Sequence, residues 1–186
     1  LTYLGQAAST ADMMKVMEDA LAKVQKRVAD GVFHGQPDSP RVLVTGTPVG
    51  GDATKVFKII EESGGVIVAL DLCTGLKPYA GHIEEGAADP YRAISKRYLE
   101  IPCACMTPND RRLSELDRLI EKFKPDAVID VVLHACHGYS IESTKVKKHI
   151  EGKHKLPYLK IETDYSQSDV GQIRTRVAAT LEMVHK

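Results

Sequence analysis

The sequence predicts an α/β fold, an open, mostly parallel sheet of about four strands with helices on both faces, Rossmann-like or flavodoxin-like. Three observations predict it. From residue 41 onward, short apolar runs alternate with segments of helical period. "VIVALDL" is apolar nearly throughout, as strands covered on both faces are, and "DAVIDVVL" is of the same buried type. The first, second and fourth runs end among turn-forming Gly, Pro, Thr, Ser or Asp, and the third runs into "HACHGYS".

The elements follow in order. Met13, Met14, Val16, Met17, Ala20, Leu21, Val24 and Val28 recur at helical spacing between Ala11 and Ala29, with Asp12 in the first turn and Gly31 at the stop. "HGQPDSP" (34–40) is a loop, so residues 1–40 read as a helix and linker and 41–186 as the domain. "RVLVTG" (41–46) is the first strand, and "DATKVFKIIEESGG" is a helix closed by glycines. "VIVALDL" (66–72) is the second strand. "DPYRAISKRYLE" and "RRLSELDRLIEKFK" are helices, joined by "IPCACM", read as a short extended segment. "DAVIDVVL" (126–133) is the third strand, with a helix expected from about Ile141 to Ile150. "PYLKIETDY" (157–165) is the fourth strand, and "SDVGQIRTRVAATLEMVHK" is a terminal amphipathic helix with Ser168 as its expected N-cap.

Composition narrows the function classes. At 186 residues the chain suits one ordinary domain with a real core. Lys plus Arg and Asp plus Glu both number 25, and aromatics make up 5%, so nothing here points to nucleic acid as a partner. No apolar run approaches the ~20 residues that span a bilayer, so no membrane partner is expected either. The opening "LTYLGQAAST" lacks the basic n-region of a signal peptide. Four cysteines are too few for a disulfide framework, and with the βα pattern they point to a cytoplasmic protein with reduced thiols.

Open parallel sheets bind ligands beyond the carboxyl ends of their strands. Those ends read "GTPVGGD", "CTGLKPYAGH", "HACHGYS" and "TDYSQSD". In the first, Gly46, Thr47, Gly50 and Gly51 are candidates for cofactor binding, because small residues expose backbone amides to an anion at a helix start. The loop is not a Walker A motif, since Asp52 rather than Lys follows Gly51 and Lys55 lies further on; G-x-G-x-x-G is absent too. A tight turn with no ligand is the alternative. Cys73 and Cys136 fall on the same edge, where each is either a ligand or a small packed hydrophobe. Cys103 and Cys105 would share one side of an extended segment, as a dithiol or as packing. No C-x-x-C or H-x-x-x-H zinc spacing occurs. Glu162 and Asp164 alternate by two, as acid–base groups or as exposed strand-end acids. His82, His149, His154 and His185 read as solvated surface.

Five stretches in order carry a resemblance: "RVLVTGTPVGG", "IEESGGVIVALDLCTGLK", "ADPYRAISKRYLEIPC", "DAVIDVVLHACHGYS" and "PYLKIETDYSQSDVGQIRTRVAATLEM". Over roughly residues 40 to 184 the chain resembles the C-terminal half of the 2-hydroxyacyl-CoA dehydratase and benzoyl-CoA reductase family. "IPCACMTPN" and "HACHGYSIES" look closer to its double-cubane-cluster reductases and uncharacterised members. The resemblance implies an oxygen-sensitive iron–sulfur cluster, 4Fe-4S or double cubane, held by cysteines of two Rossmann-like domains. It implies electron supply by an ATP-dependent iron–sulfur activator protein, a homologous subunit as partner in a homo- or heterodimer, and an acyl-CoA or small-molecule substrate. Cys136 matches the position of a cluster ligand and Cys73 that of a cysteine often beside the site; Cys103 follows, and Cys105 comes last. The family's other ligands lie in an N-terminal domain that this sequence does not contain. The resemblance therefore implies a piece of a longer protein, expected to be inactive and without an intact cluster on its own. A nucleotide- or anion-binding module, or an assembly domain, is the alternative.

Overall fold

The computed structural model describes residues 9–79 and 81–184. Two compact units divide the chain, Leu1–Pro37 and Asp38–Lys186.

The first unit contains α1 (Thr10–Ala29). Ser9 caps it by accepting from the Asp12 amide at 3.4 Å. Gly31, at φ +69°, ends it in the left-handed region that glycine enters without strain. None of its residues is buried, and Met14, Met17, Leu21, Val24 and Val28 are exposed.

The second unit holds four parallel strands, β1 (Arg41–Gly46), β2 (Val66–Asp71), β3 (Ala127–Leu133) and β4 (Tyr158–Thr163), in the order β2-β1-β3-β4. The helices are α2 (Lys55–Glu62), α3 (Pro90–Leu99), α4 (Asp110–Phe123), α5 (His137–His149) and α6 (Val170–Glu182). The sheet is covered on both faces, which is why its strands read as continuous apolar runs. On one side Val42, Val44, Ile129, Val131 and Ile161 pack with α2 and α6 through Val56, Ile60, Ile173, Val177 and Leu181. On the other, Leu43, Ala69 and Val128 meet Leu116 and Leu119 of α4 and Val146 of α5. The expected open α/β sheet is the fold observed, and all its strand pairs are parallel.

Three local expectations change. α5 begins at His137 rather than about Ile141. Its Gly138 reads as a loop residue, yet the helix uses it for close approach: a Cβ there would meet the Ala104 Cβ at 3.3 Å. The N-cap of α6 is Asp169, not Ser168, and its carboxylate is already engaged by Lys55 and Thr163. The stretch "IPCACM" turns rather than extends, with the Met106 amide donating to the Cys103 carbonyl at 3.0 Å.

The strand order reverses between β1 and β3, and in such sheets the crevice beyond the carboxyl ends opens at that reversal. Here the mouth is stitched shut from below. The Thr47 amide donates to the Val131 carbonyl at 2.9 Å, and the Thr47 hydroxyl donates to the same carbonyl while accepting from the Leu133 amide, both at 3.1 Å. Gly46, at φ +126°, permits this; an added Cβ would lie 2.0 Å from the Val131 oxygen. The loops after β1 and β3 are thereby fixed side by side, and the Thr74 hydroxyl joins the loop after β2 to them by accepting from the Val49 amide at 3.3 Å.

Candidate functional site

The loop of Gly46, Thr47, Gly50 and Gly51 is largely absorbed by the fold. Thr47 is buried, with its amide and hydroxyl engaged on β3. Gly50 is extended, and its carbonyl accepts from the Ala53 amide at 3.2 Å; only Gly51, at φ +52°, is exposed with open space around it. Lys55, which follows this loop in sequence, is buried and spans to Asp169 at 2.5 Å and to the Ser166 carbonyl. Its charge is spent between α2 and the start of α6.

The thiols are arranged differently. All four cysteines are free. Cys73 leaves β2 and sits half-buried with its Sγ 3.7 Å from the Tyr139 hydroxyl. The turn at 103–105 crosses the same place. Burial pushes the Cys103 thiol up, but hydrogen bonds with the Cys105 backbone and thiol, the charge of the nearby Lys77 ammonium and a hydrogen bond with the Tyr139 hydroxyl outweigh it and leave Cys103 below an ordinary thiol. Cys105 is raised, first by its hydrogen bond with Cys103 and then by that thiol's charge, and it senses the charge of Cys73 as well. Cys73, Cys103 and Cys105 thus form one electrostatically linked group. Cys136 is the half-buried N-cap residue of α5, placed by Ala135 in the left-handed region at φ +66°. The contact of Gly138 with Ala104 ties the start of that helix to the Cys103–Cys105 turn.

Beneath the thiols lies a buried polar network that sequence patterning missed. Lys77 is fully buried, donates to the Tyr139 hydroxyl at 3.1 Å and pairs with Asp71 at 3.6 Å. Asp71 accepts from the Thr45 hydroxyl at 2.7 Å; burial pushes its carboxyl up, against the pull of Lys77, Thr45 and Arg112. Arg112 reaches in from α4 to Glu142 at 2.9 Å and Asp130 at 3.5 Å, with its guanidinium 4.7 Å from the Tyr139 ring centre. Asp130 accepts from the Tyr158 hydroxyl at 2.6 Å. Burial, then the nearby Cys73, hold the Tyr139 hydroxyl well above the usual phenol range, so it stays protonated. The available signal was an acid inside each of two apolar strands, Asp71 in "VIVALDL" and Asp130 in "DAVIDVVL". A carboxylate in a covered strand needs a buried partner.

Thiolates are the donors that iron–sulfur clusters take, and free thiols beside a buried ammonium fit that group chemically. A lysine close by offsets the negative charge that several thiolates collect in one place.

The sequence profile described as 2-hydroxyglutaryl-CoA dehydratase, D-component, matches residues 1–184. The chain belongs to this D-component family. The "Putative dehydratase subunit YjiM" of Escherichia coli (strain K12) is 42% identical over 200 aligned residues, covering 98% of this chain and 52% of YjiM. The chain therefore spans about half the length of the curated relative it matches. The membership agrees with the five segments singled out in the sequence. Among the described residues of this D-component chain, no helix is long and apolar enough to cross a membrane.

The remaining sequence candidates fall elsewhere. Glu162 is exposed and contacts His134 at 3.1 Å, and Asp164 is exposed and accepts from the Ser166 amide at 2.7 Å. His82 is exposed as expected, and His185 lies outside the described residues. His149 and His154 are not free surface side chains: both are half-buried and share one oxygen of Asp117. The expectation failed because a single turn of π-helix, Ile150–His154, follows α5 and brings the two imidazoles to one carboxylate.

Proposed function

We propose that this chain is part of an iron–sulfur subunit of the 2-hydroxyacyl-CoA dehydratase type. In this reading Cys136, Cys73 and Cys103 are cluster thiolates, Cys105 supports Cys103, and the other ligands lie in the half of the protein outside this chain. The observation that carries it is the Tyr139 hydroxyl at the carboxyl edge of the sheet, 3.7 Å from the Cys73 sulfur and accepting from the buried Lys77, with the Cys103–Cys105 turn packed on the start of the same helix at Gly138. Family membership supports it independently.

When bound, the cluster would supply one low-potential electron at a time to a CoA thioester or another small reducible molecule, after charging by an ATP-hydrolysing iron–sulfur activator. The residues of this chain do three things for it. Lys77 offsets thiolate charge from a position fixed by Asp71 and Tyr139. Tyr139 keeps its proton on the hydroxyl oxygen and presents it to the Cys73 sulfur. Arg112 pins Tyr139 from behind through its ring contact and its pairs with Glu142 and Asp130. A homologous second subunit and a reducing, cytoplasmic compartment belong to the same reading, since free thiols persist only in reducing surroundings.

The test is iron content. Serine at Cys136, Cys73 or Cys103 in the full-length protein, purified anaerobically, should each lower bound iron relative to the unsubstituted protein. Full retention of iron by all three variants would remove these residues from the ligand set.

A further inference from the structure

We propose that Asp117, His149 and His154 form a binding site for one divalent transition-metal ion, with zinc the ion best suited to the donor set. The site is independent of the thiol reading. Two imidazole nitrogens and one carboxylate oxygen, from α4 and from the end of α5, all lie within 4.8 Å of one another. Among the described residues this is the one group of three or more His, Cys, Asp or Glu ligand atoms gathered so closely. Two histidines with one carboxylate make a recognised zinc set that leaves a coordination position for water.

The local backbone explains the convergence. Residues five apart on an α-helix point about 140° away from each other. The π turn of Ile150–His154 adds a residue to the winding and cancels most of that rotation, bringing His149 and His154 together. Their ring centres are 5.6 Å apart, edge toward face, with each Nε2 2.6 Å from Asp117 Oδ1. Such π segments are rare and frequently mark functional positions.

The carboxylate is divided between two tasks. Lys153 donates to Oδ2 at 2.7 Å, and both imidazoles address Oδ1. The ammonium therefore orients the carboxylate from its far oxygen and leaves the near one to the ion, as outer partners of metal ligands do. Zinc ligands at ~2.0–2.1 Å stand roughly 3.3 Å apart around a tetrahedron, so each imidazole opens from the Asp117 oxygen by roughly 0.7 Å to admit the ion. That movement lies within side-chain rotation. All three ligands are only partly exposed, which keeps bulk water from competing on every side.

The site lies far from the thiols. His149 is at the opposite end of α5 from Cys136, about 20 Å along the helix axis. A metal there would clamp α4 to the turn that leads into β4, at the amino edge of the sheet.

The test is zinc titration by calorimetry into the full chain with Cys73, Cys103, Cys105 and Cys136 replaced by serine, its fold checked by circular dichroism. One zinc should bind per chain. His149→Gln and His154→Gln should each weaken it by at least the ~tenfold that loss of a mere outer partner costs. His82→Gln, on an exposed loop, should leave it unchanged. If the serine variant does not fold, X-ray absorption of the unsubstituted chain loaded with zinc gives the same decision. A nitrogen or oxygen shell near ~2.0–2.1 Å that disappears in both histidine variants supports the site. No zinc uptake, uptake indifferent to both histidines, or a purely sulfur shell overturns it.

Discussion

Replacing Arg112 by leucine removes the cation that holds Asp130 and Glu142 from α4, and the cost follows from the geometry. The guanidinium is 1% exposed at its side chain, and its Asp130 partner is fully buried. At their 3.5 Å separation, with an effective dielectric of about 20, the attraction is about 5 kcal/mol. Desolvation of both charges offsets much of that in the intact pair, but truncating one partner leaves the other buried and uncompensated. Such truncations cost about 3–5 kcal/mol. Asp130 would retain only its bond from Tyr158 among the contacts described above. Against a domain stability of about 5–15 kcal/mol, Arg112→Leu should lower the urea midpoint severely, read by far-ultraviolet circular dichroism. Adding Asp130→Asn removes the stranded charge while keeping an acceptor for Tyr158, and should recover at least about 1 kcal/mol. A loss under about 1 kcal/mol for the single variant, or no recovery in the double, would refute the account of this network.

Gly46→Ala should cost well over 1 kcal/mol, because its Cβ would meet the Val131 oxygen at 2.0 Å; Gly51→Ala, with open space at φ +52°, should cost only the ~1–2 kcal/mol of left-handed backbone. Parallel urea titrations separate the two, and equal losses would contradict the stitched-mouth geometry. Asp169→Asn tests the α2–α6 ion pair through pH. Burial raises the Asp169 carboxyl, but hydrogen bonds from Lys55 and Thr163 outweigh it and set it below its ordinary value. The folded state therefore releases this proton more readily than the unfolded chain, and the stabilisation is present above the ordinary value near 3.8 and lost as pH falls below it. The variant should be less stable than the parent at pH 7, and the gap should narrow in acid. A gap that widens in acid would show the wrong sign. Ala135→Gly should stabilise the chain by up to about 1 kcal/mol, since glycine occupies φ +66° without strain; a clear loss would show that the Ala135 methyl is needed for packing.

The sheet was legible because burial on both faces writes itself as apolar runs, and β1 to β4 fall within "RVLVTG", "VIVALDL", "DAVIDVVL" and "PYLKIETDY". Cys73 and Cys136 were legible as strand-end residues for the same reason. What periodicity does not carry is long-range pairing. Lys77 follows a turn and Arg112 sits in a charged helix, where no pattern marks burial, yet each is drawn inward by an acid in a strand. Cys103 and Cys105 were expected to share a side by extension, but hydrogen bonding within a turn sets their relation. The histidine pair was illegible because a π turn changes the helical spacing, and no propensity scale marks where one residue will be added.

The central claim is that these thiols serve an iron–sulfur cluster completed by the rest of the protein. The most direct measurement is iron and acid-labile sulfide analysis of the anaerobically purified full-length protein, with electron paramagnetic resonance after reduction. The account predicts stoichiometric iron and sulfide, broad visible absorbance and a cluster signal that fades on exposure to air. Colourless, iron-free protein prepared without oxygen would contradict it.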